Sequence, residues 1–166
     1  NYIKINKELR DLDLKKNYEA KTELAEEAEK LMLEPSVTEA FHKLQKLHDQ
    51  WREIGPVAAE FKEALWDRFK EASRQINKRH QDYFEGIKEE QKQNLALKTE
   101  LCEKVEELAA GALTSHKEWN AASERVIEIQ KVWKTIGFAP KKDNTKIYER
   151  FRAACDRFFE AKRTFY

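Results

Sequence analysis

The residues of this chain that could carry out chemistry are few and scattered. Its four histidines are His42, His48, His80 and His116, and no two stand four apart, the spacing that lets a helix offer both rings to one metal. Glu39-x-x-His42 has the spacing of one half of a dimetal carboxylate centre. Such a centre needs a second Glu-x-x-His and two more inward Glu residues, and no second pair occurs. Cys102 and Cys155 form no Cys-x-x-Cys motif, so neither zinc nor a redox dithiol is expected. There is no Gly-rich phosphate loop, and no Ser, Thr or Cys is flanked by a plausible base. The expectation is a protein that is not an enzyme, with no catalytic residue, metal, cofactor or small-molecule substrate.

Cations carry more information. Arg68 and Arg150 each follow an acid and precede a Phe. The structural reading of each is an arginine that caps the carbonyls of Gly55 or Gly137, with Glu63 and Glu71 in reach of Arg68 across a turn. Anion binding is the sharper reading. Toward the C-terminus, Lys141, Lys142, Lys146, Arg150, Arg152, Arg157, Lys162 and Arg163 face only Asp143, Glu149, Asp156 and Glu160. Near the other end, Glu19, Glu23, Glu26, Glu27, Glu29 and Glu34 face only Lys21 and Lys30. Charge is segregated although the net charge is +1. One reading is complementary charge between packed or neighbouring modules. The other is a phosphate-binding face whose affinity depends on salt. Phe151, Phe158 and Phe165 sit at core spacing there, which suits burial better than stacking on bases. No helix-turn-helix, zinc-finger or RNA-recognition signature is present. A protein partner is the first expectation and nucleic acid the second. A membrane is not expected, because no apolar run approaches the ~20 residues of a span.

The elements that position these residues are helices. With 38% charged residues, 4 Gly and 3 Pro in 166 residues, the composition suits long exposed helices rather than a β-sandwich. Val37, Ala40, Leu44, Leu47, Trp51 and Ile54 are spaced 3-4-3-4-3, and Trp119, Ala122, Val126, Ile129, Trp133 and Ile136 repeat that spacing. Each set is one apolar stripe on a helix. Ser36-x-x-Glu39 and Ser115-x-x-Glu118 fit capping boxes. Gly55 and Gly137 follow the stripes and are expected as left-handed C′ residues. A third helix in each module carries Phe61, Leu65, Phe69, Ala72, Ile76, His80, Tyr83 and Ile87, or Ile147, Phe151, Ala154, Phe158, Ala161 and Phe165. A shorter first helix carries Leu24, Ala28 and Leu31, or Leu101, Val105 and Leu108. Asp13 is expected to cap the first copy and Gly111 to close the second.

The chain therefore contains one module twice. Lys21-Thr22-Glu23-Leu24 recurs 77 residues later as Lys98-Thr99-Glu100-Leu101. Trp51-Arg52-Glu53-Ile54-Gly55 recurs 82 residues later as Trp133-Lys134-Thr135-Ile136-Gly137. Trp66-Asp67-Arg68-Phe69-Lys70 recurs as Tyr148-Glu149-Arg150-Phe151-Arg152. The expected fold is all-α, with two tandem antiparallel three-helix modules at 17–93 and 94–166, and 1–16 as the tail of a preceding helix or repeat. Residues 60–109 hold no Pro and could form one rod of about 75 Å at 1.5 Å per residue. Gly86 is its weak point, and a kink near Gln91–Asn94 is the alternative. Trp51, Ile54, Gly55, Phe69, Trp133, Ile136, Gly137 and Phe151 are the expected structural anchors. Trp66 and Tyr148, at the border of their stripe, are expected in the core.

The pattern Trp-[Arg/Lys]-x-Ile-Gly, about a dozen residues, then [Trp/Tyr]-[Asp/Glu]-Arg-Phe-[Lys/Arg]-x-Ala resembles the bacterial domain-of-unknown-function 349 family. The second copy adds Asp156-Arg157-Phe158-Phe159, where the first departs with Arg74-Gln75-Ile76-Asn77. Trp119 also fits, where the first copy has Val37. The resemblance covers nearly the whole chain from Asn17. It implies tandem helical modules in a longer cytoplasmic bacterial protein, and it brings no catalytic residue set. A reducing compartment also fits two free thiols, and no signal peptide is visible.

Overall fold

The computed structural model describes all 166 residues. It has five helices and no strand: α1 (Tyr2–Leu31), α2 (Val37–Glu53), α3 (Ala59–Ala110), α4 (His116–Thr135) and α5 (Lys141–Phe165). The fold is all-α, as the apolar spacing predicts. The chain divides into two compact units, Asn1–Phe84 and Glu85–Tyr166, so the division falls inside α3. No helix is long and apolar enough to cross a membrane.

Local chemistry sets most helix ends. Ser36 Oγ accepts from the Glu39 amide at 3.2 Å, and Ser115 Oγ accepts from the Glu118 amide at 3.1 Å. Each hydroxyl satisfies a donor that the first turn leaves unpaired. The Glu118 carboxylate also accepts from the Thr114 amide at 2.9 Å. Helix α3 ends at Ala110, directly before Gly111, and passes through Gly86 without interruption.

Two expectations about helix ends are corrected. Asp13 caps nothing, because α1 already begins at Tyr2 and Asn1 caps it, its side-chain oxygen accepting from the Ile3 amide at 3.0 Å. No Pro or Gly lies between Asn1 and Leu33 to break it. Gly55 and Gly137 are not left-handed, since no residue has positive φ. The helices stop one residue earlier, where Ile54 and Ile136 turn extended with ψ of 135° and 132°.

Each unit has its own core. In the first, Leu24, Ala25 and Ala28 of α1 and Ala40, Leu44 and Leu47 of α2 close around Phe69, Ala72 and Ile76 of α3. In the second, Leu101, Cys102 and Val105 of α3 and Trp119, Ala122 and Val126 of α4 close around Ile147, Phe151, Ala154, Cys155 and Phe158 of α5. Burial pushes the Cys102 thiol up to about 11, so it stays protonated in this core. Some stripe residues fall outside. Phe61 and Tyr83 are exposed, and Trp66 and Tyr148 are not core residues. Lying one position off the stripe, their rings rotate about 100° away from the buried face.

Candidate functional site

Three polar contacts occur in both units at equivalent positions. The first explains the glycines. Asn17 on α1 donates from Nδ2 to the Pro56 carbonyl at 2.8 Å, and Asn94 on α3 donates from Nδ2 to the Phe138 carbonyl at 3.0 Å. A Cβ on Gly55 would lie 2.9 Å from the Asn17 amide nitrogen, and one on Gly137 would lie 3.1 Å from that of Asn94. A side chain there would push against the clasping amide, so glycine favours the close approach of the asparagine, and the backbone conformation does not call for it.

The second contact is a lysine over an indole. Lys21 Nζ lies 5.0 Å from the Trp51 ring centroid, and Lys98 Nζ lies 5.0 Å from that of Trp133. A cation at this range is attracted to the ring face. Burial lowers the pKa of both ammonium groups, and Lys62 adds to the effect at Lys21. Each indole also stacks on a core phenylalanine, Trp51 on Phe69 at 4.5 Å and Trp133 on Phe151 at 4.0 Å. Trp51, Ile54, Trp133 and Ile136 are half-buried against the cores.

The third contact places the two arginines. Arg68 donates through Nε and Nη2 to the Glu29 carboxylate at 2.9 and 2.6 Å. Arg150 does the same to Glu106 at 3.0 and 2.8 Å. These forks replace the expected caps on Gly55 and Gly137, and Glu71 pairs with Arg74 instead. The hydrogen bonds from Arg68 and Arg150 hold the Glu29 and Glu106 carboxyls below their ordinary range. A depressed carboxyl stabilises the fold above its unfolded pKa, and that contribution is lost as pH falls through the folded value. Because the side chains are about one-third exposed, each pair contributes at most ~1 kcal/mol. Thermal melts between pH 5 and 3 should therefore show a shallower acid slope for Glu106→Gln than for the unaltered protein. Equal slopes would show that the pair adds nothing.

The remaining candidate cations divide sharply. Arg152 reaches Asp156 at 4.0 Å and Arg163 reaches Glu160 at 3.0 Å. Lys141, Lys142, Lys146 and Arg157 form no ion pair. Lys141 and Lys142 open α5, whose N-cap Pro140 makes no side-chain cap bond, and Asp143 is the acid of that turn. Phe138 stands beside them, 75% exposed.

The pairing partners Asn17, Asn94, Glu29 and Glu106 are absent from the candidate residues read from sequence. Their signal was available. Each pair is identical and stands 77 residues apart, in step with Lys-Thr-Glu-Leu.

A family model described as Domain of Unknown Function (DUF349) matches the chain twice, over residues 2–60 and 64–142. The chain belongs to this family. No curated protein matches it, and no solved structure does. Each DUF349 match holds one Asn clasp, one Lys–Trp contact and the loop that follows the glycine. Arg150 lies beyond the second match, so the internal repetition of this chain extends past it.

Proposed function

We propose that this DUF349 chain is a non-enzymatic helical-repeat interaction or scaffold module that acts by presenting helix faces to a protein partner in the cytoplasm. The observation that carries the reading is that all three repeated polar contacts are internal. Each ties one segment of a unit to another, so what the repeats preserve is a shape. Outer charge differs between them, with an acidic Glu19–Glu34 segment and a basic α5. Site-specific photocrosslinkers at the exposed positions Glu23, Lys46 and Ala153 would test this in the source cell. A discrete protein adduct that depends on position is expected. Absence of adducts at all three would overturn the reading.

A second reading is nucleic-acid or ribonucleoprotein binding through α5, favoured by its unpaired cations. Lysines in a first turn face the positive end of the helix dipole, at a cost of about 0.3–1 kcal/mol each. No carboxylate pairs with Lys141 or Lys142 to offset it, and an external phosphate would. Anisotropy of labelled generic RNA at about 50 and 200 mM salt should show steep loss of affinity with salt. Reversing Lys141, Lys142 and Arg152 to Glu should abolish binding. Unaltered binding would refute the α5 surface.

A further inference from the structure

Trp66 and Tyr148 stand at equivalent positions, and both rings are open to water, 42% and 52% exposed. Packing accounts for only part of the Trp66 ring. It tilts against Trp51 at 5.9 Å and Phe69 at 6.3 Å, while Phe69 itself is fully covered. Each ring has two exposed cations at equivalent positions. One turn further along the same helix are Lys70 and Arg152, and near the end of the preceding helix are Arg52 and Lys134. Arg52 and Trp66 line one open groove of about 430 Å³ with Gln45, His48, Trp51 and Asn77.

Carboxylates compete weakly for these cations. Arg52 pairs with Asp49 at 2.5 Å and Arg152 with Asp156 at 4.0 Å, all on largely exposed side chains, and such pairs are worth at most ~1 kcal/mol. Lys70 and Lys134 form no ion pair. The two stripes differ in where an acid stands: α3 has Glu63 where α5 has Thr145, and α5 has Asp156, paired with Arg152, where α3 has Arg74.

We propose that this face, an open aromatic ring flanked by two cations, is a stacking site for single-stranded nucleic acid, present once in each unit. A base lies on Trp66 or Tyr148, and adjoining phosphates lie against Arg52 and Lys70, or Lys134 and Arg152. An acidic peptide would satisfy the cations and leave the ring uncovered. A duplex keeps its base faces stacked away from the ring. A single strand supplies both a π face and phosphates, and the ring accepts any base. The inference rests on the nucleic-acid reading above and places recognition on largely different residues.

The test is anisotropy of a labelled oligouridine of about 20 nucleotides and of a duplex of equal length, at about 50 and 200 mM salt. Single-strand preference is expected. Trp66→Ala with Tyr148→Ala should weaken binding by about tenfold or more with little change in salt dependence, and Trp66→Phe with Tyr148→Phe should retain it. Lys70→Glu with Arg152→Glu should weaken binding and flatten its salt dependence, and these exposed positions keep the test sound if the alanine pair fails to fold by circular dichroism. Undiminished binding by a folded alanine pair overturns the stacking site, as does equal affinity for duplex. If that binding is lost on reversal of Lys141 and Lys142, the α5 surface stands without the stacking site. No binding to either nucleic acid overturns both.

Discussion

Phe69→Ala is expected to lower the stability of the first unit by about 3–5 kcal/mol, the range for a buried aromatic truncated in a core that relaxes only in part. Phe69 has no exposed surface, and its ring stacks on Trp51 at 4.5 Å and meets His48 edge-on at 4.8 Å. Removing it opens a cavity and takes away the stacking partner of the indole that Lys21 also contacts. Urea unfolding followed by far-ultraviolet circular dichroism would read the loss. Phe151→Ala should behave alike in the second unit, since Trp133 stacks on it at 4.0 Å. Losses below ~1 kcal/mol at both positions would mean that these stacks are not the anchors of the repeat. An effect that large is a sizeable fraction of the stability of any small domain, so the truncations come before any functional assay of these residues.

Trp119 should respond very unequally to two substitutions. The residue is buried, with its ring 5.6 Å from Phe158 and 5.8 Å from Phe165. Trp119→Ala is expected to cost about 3–5 kcal/mol. Yet the indole Nε1 is buried without a hydrogen-bond partner. An unsatisfied buried donor is itself destabilising by about 1–3 kcal/mol. Trp119→Phe removes that donor and keeps most of the ring, so it should be nearly neutral. A Phe variant as damaged as the Ala variant would show that the nitrogen has a partner after all. The first repeat has Val37 at this position, which is half-buried and carries no polar atom.

The contrast between Ser36 and Arg68 shows what could be read from sequence. Ser36 and Glu39 cap a helix through atoms three residues apart, so spacing alone located the contact. Arg68 stands out in the sequence between an acid and a Phe, but its partner Glu29 lies 39 residues away on another helix. Spacing along α3 pointed instead to Glu63 and Glu71. Similarly, Gly55 and Gly137 were recognisable as helix-end residues, but the reason for glycine was the Asn17 or Asn94 side chain pressed against them. Trp66 sat at the margin of its stripe, where a rotation of one residue decides between core and solvent.

The sequence by itself determined the all-α class, the twofold repetition, the helix starts at Ser36 and Ser115, and the membership of Phe69 and Phe151 in the cores. These depend on hydrogen bonds between residues three or four apart and on a 3.6-residue period, both of which are local. Only the tertiary structure decided that Asn17 and Asn94 clasp the loops, that Glu29 and Glu106 occupy the two arginines, and that the Trp66 and Tyr148 rings face water. Those outcomes depend on where separate helices meet, and a side chain's partner across 39 to 44 residues follows from packing rather than from spacing.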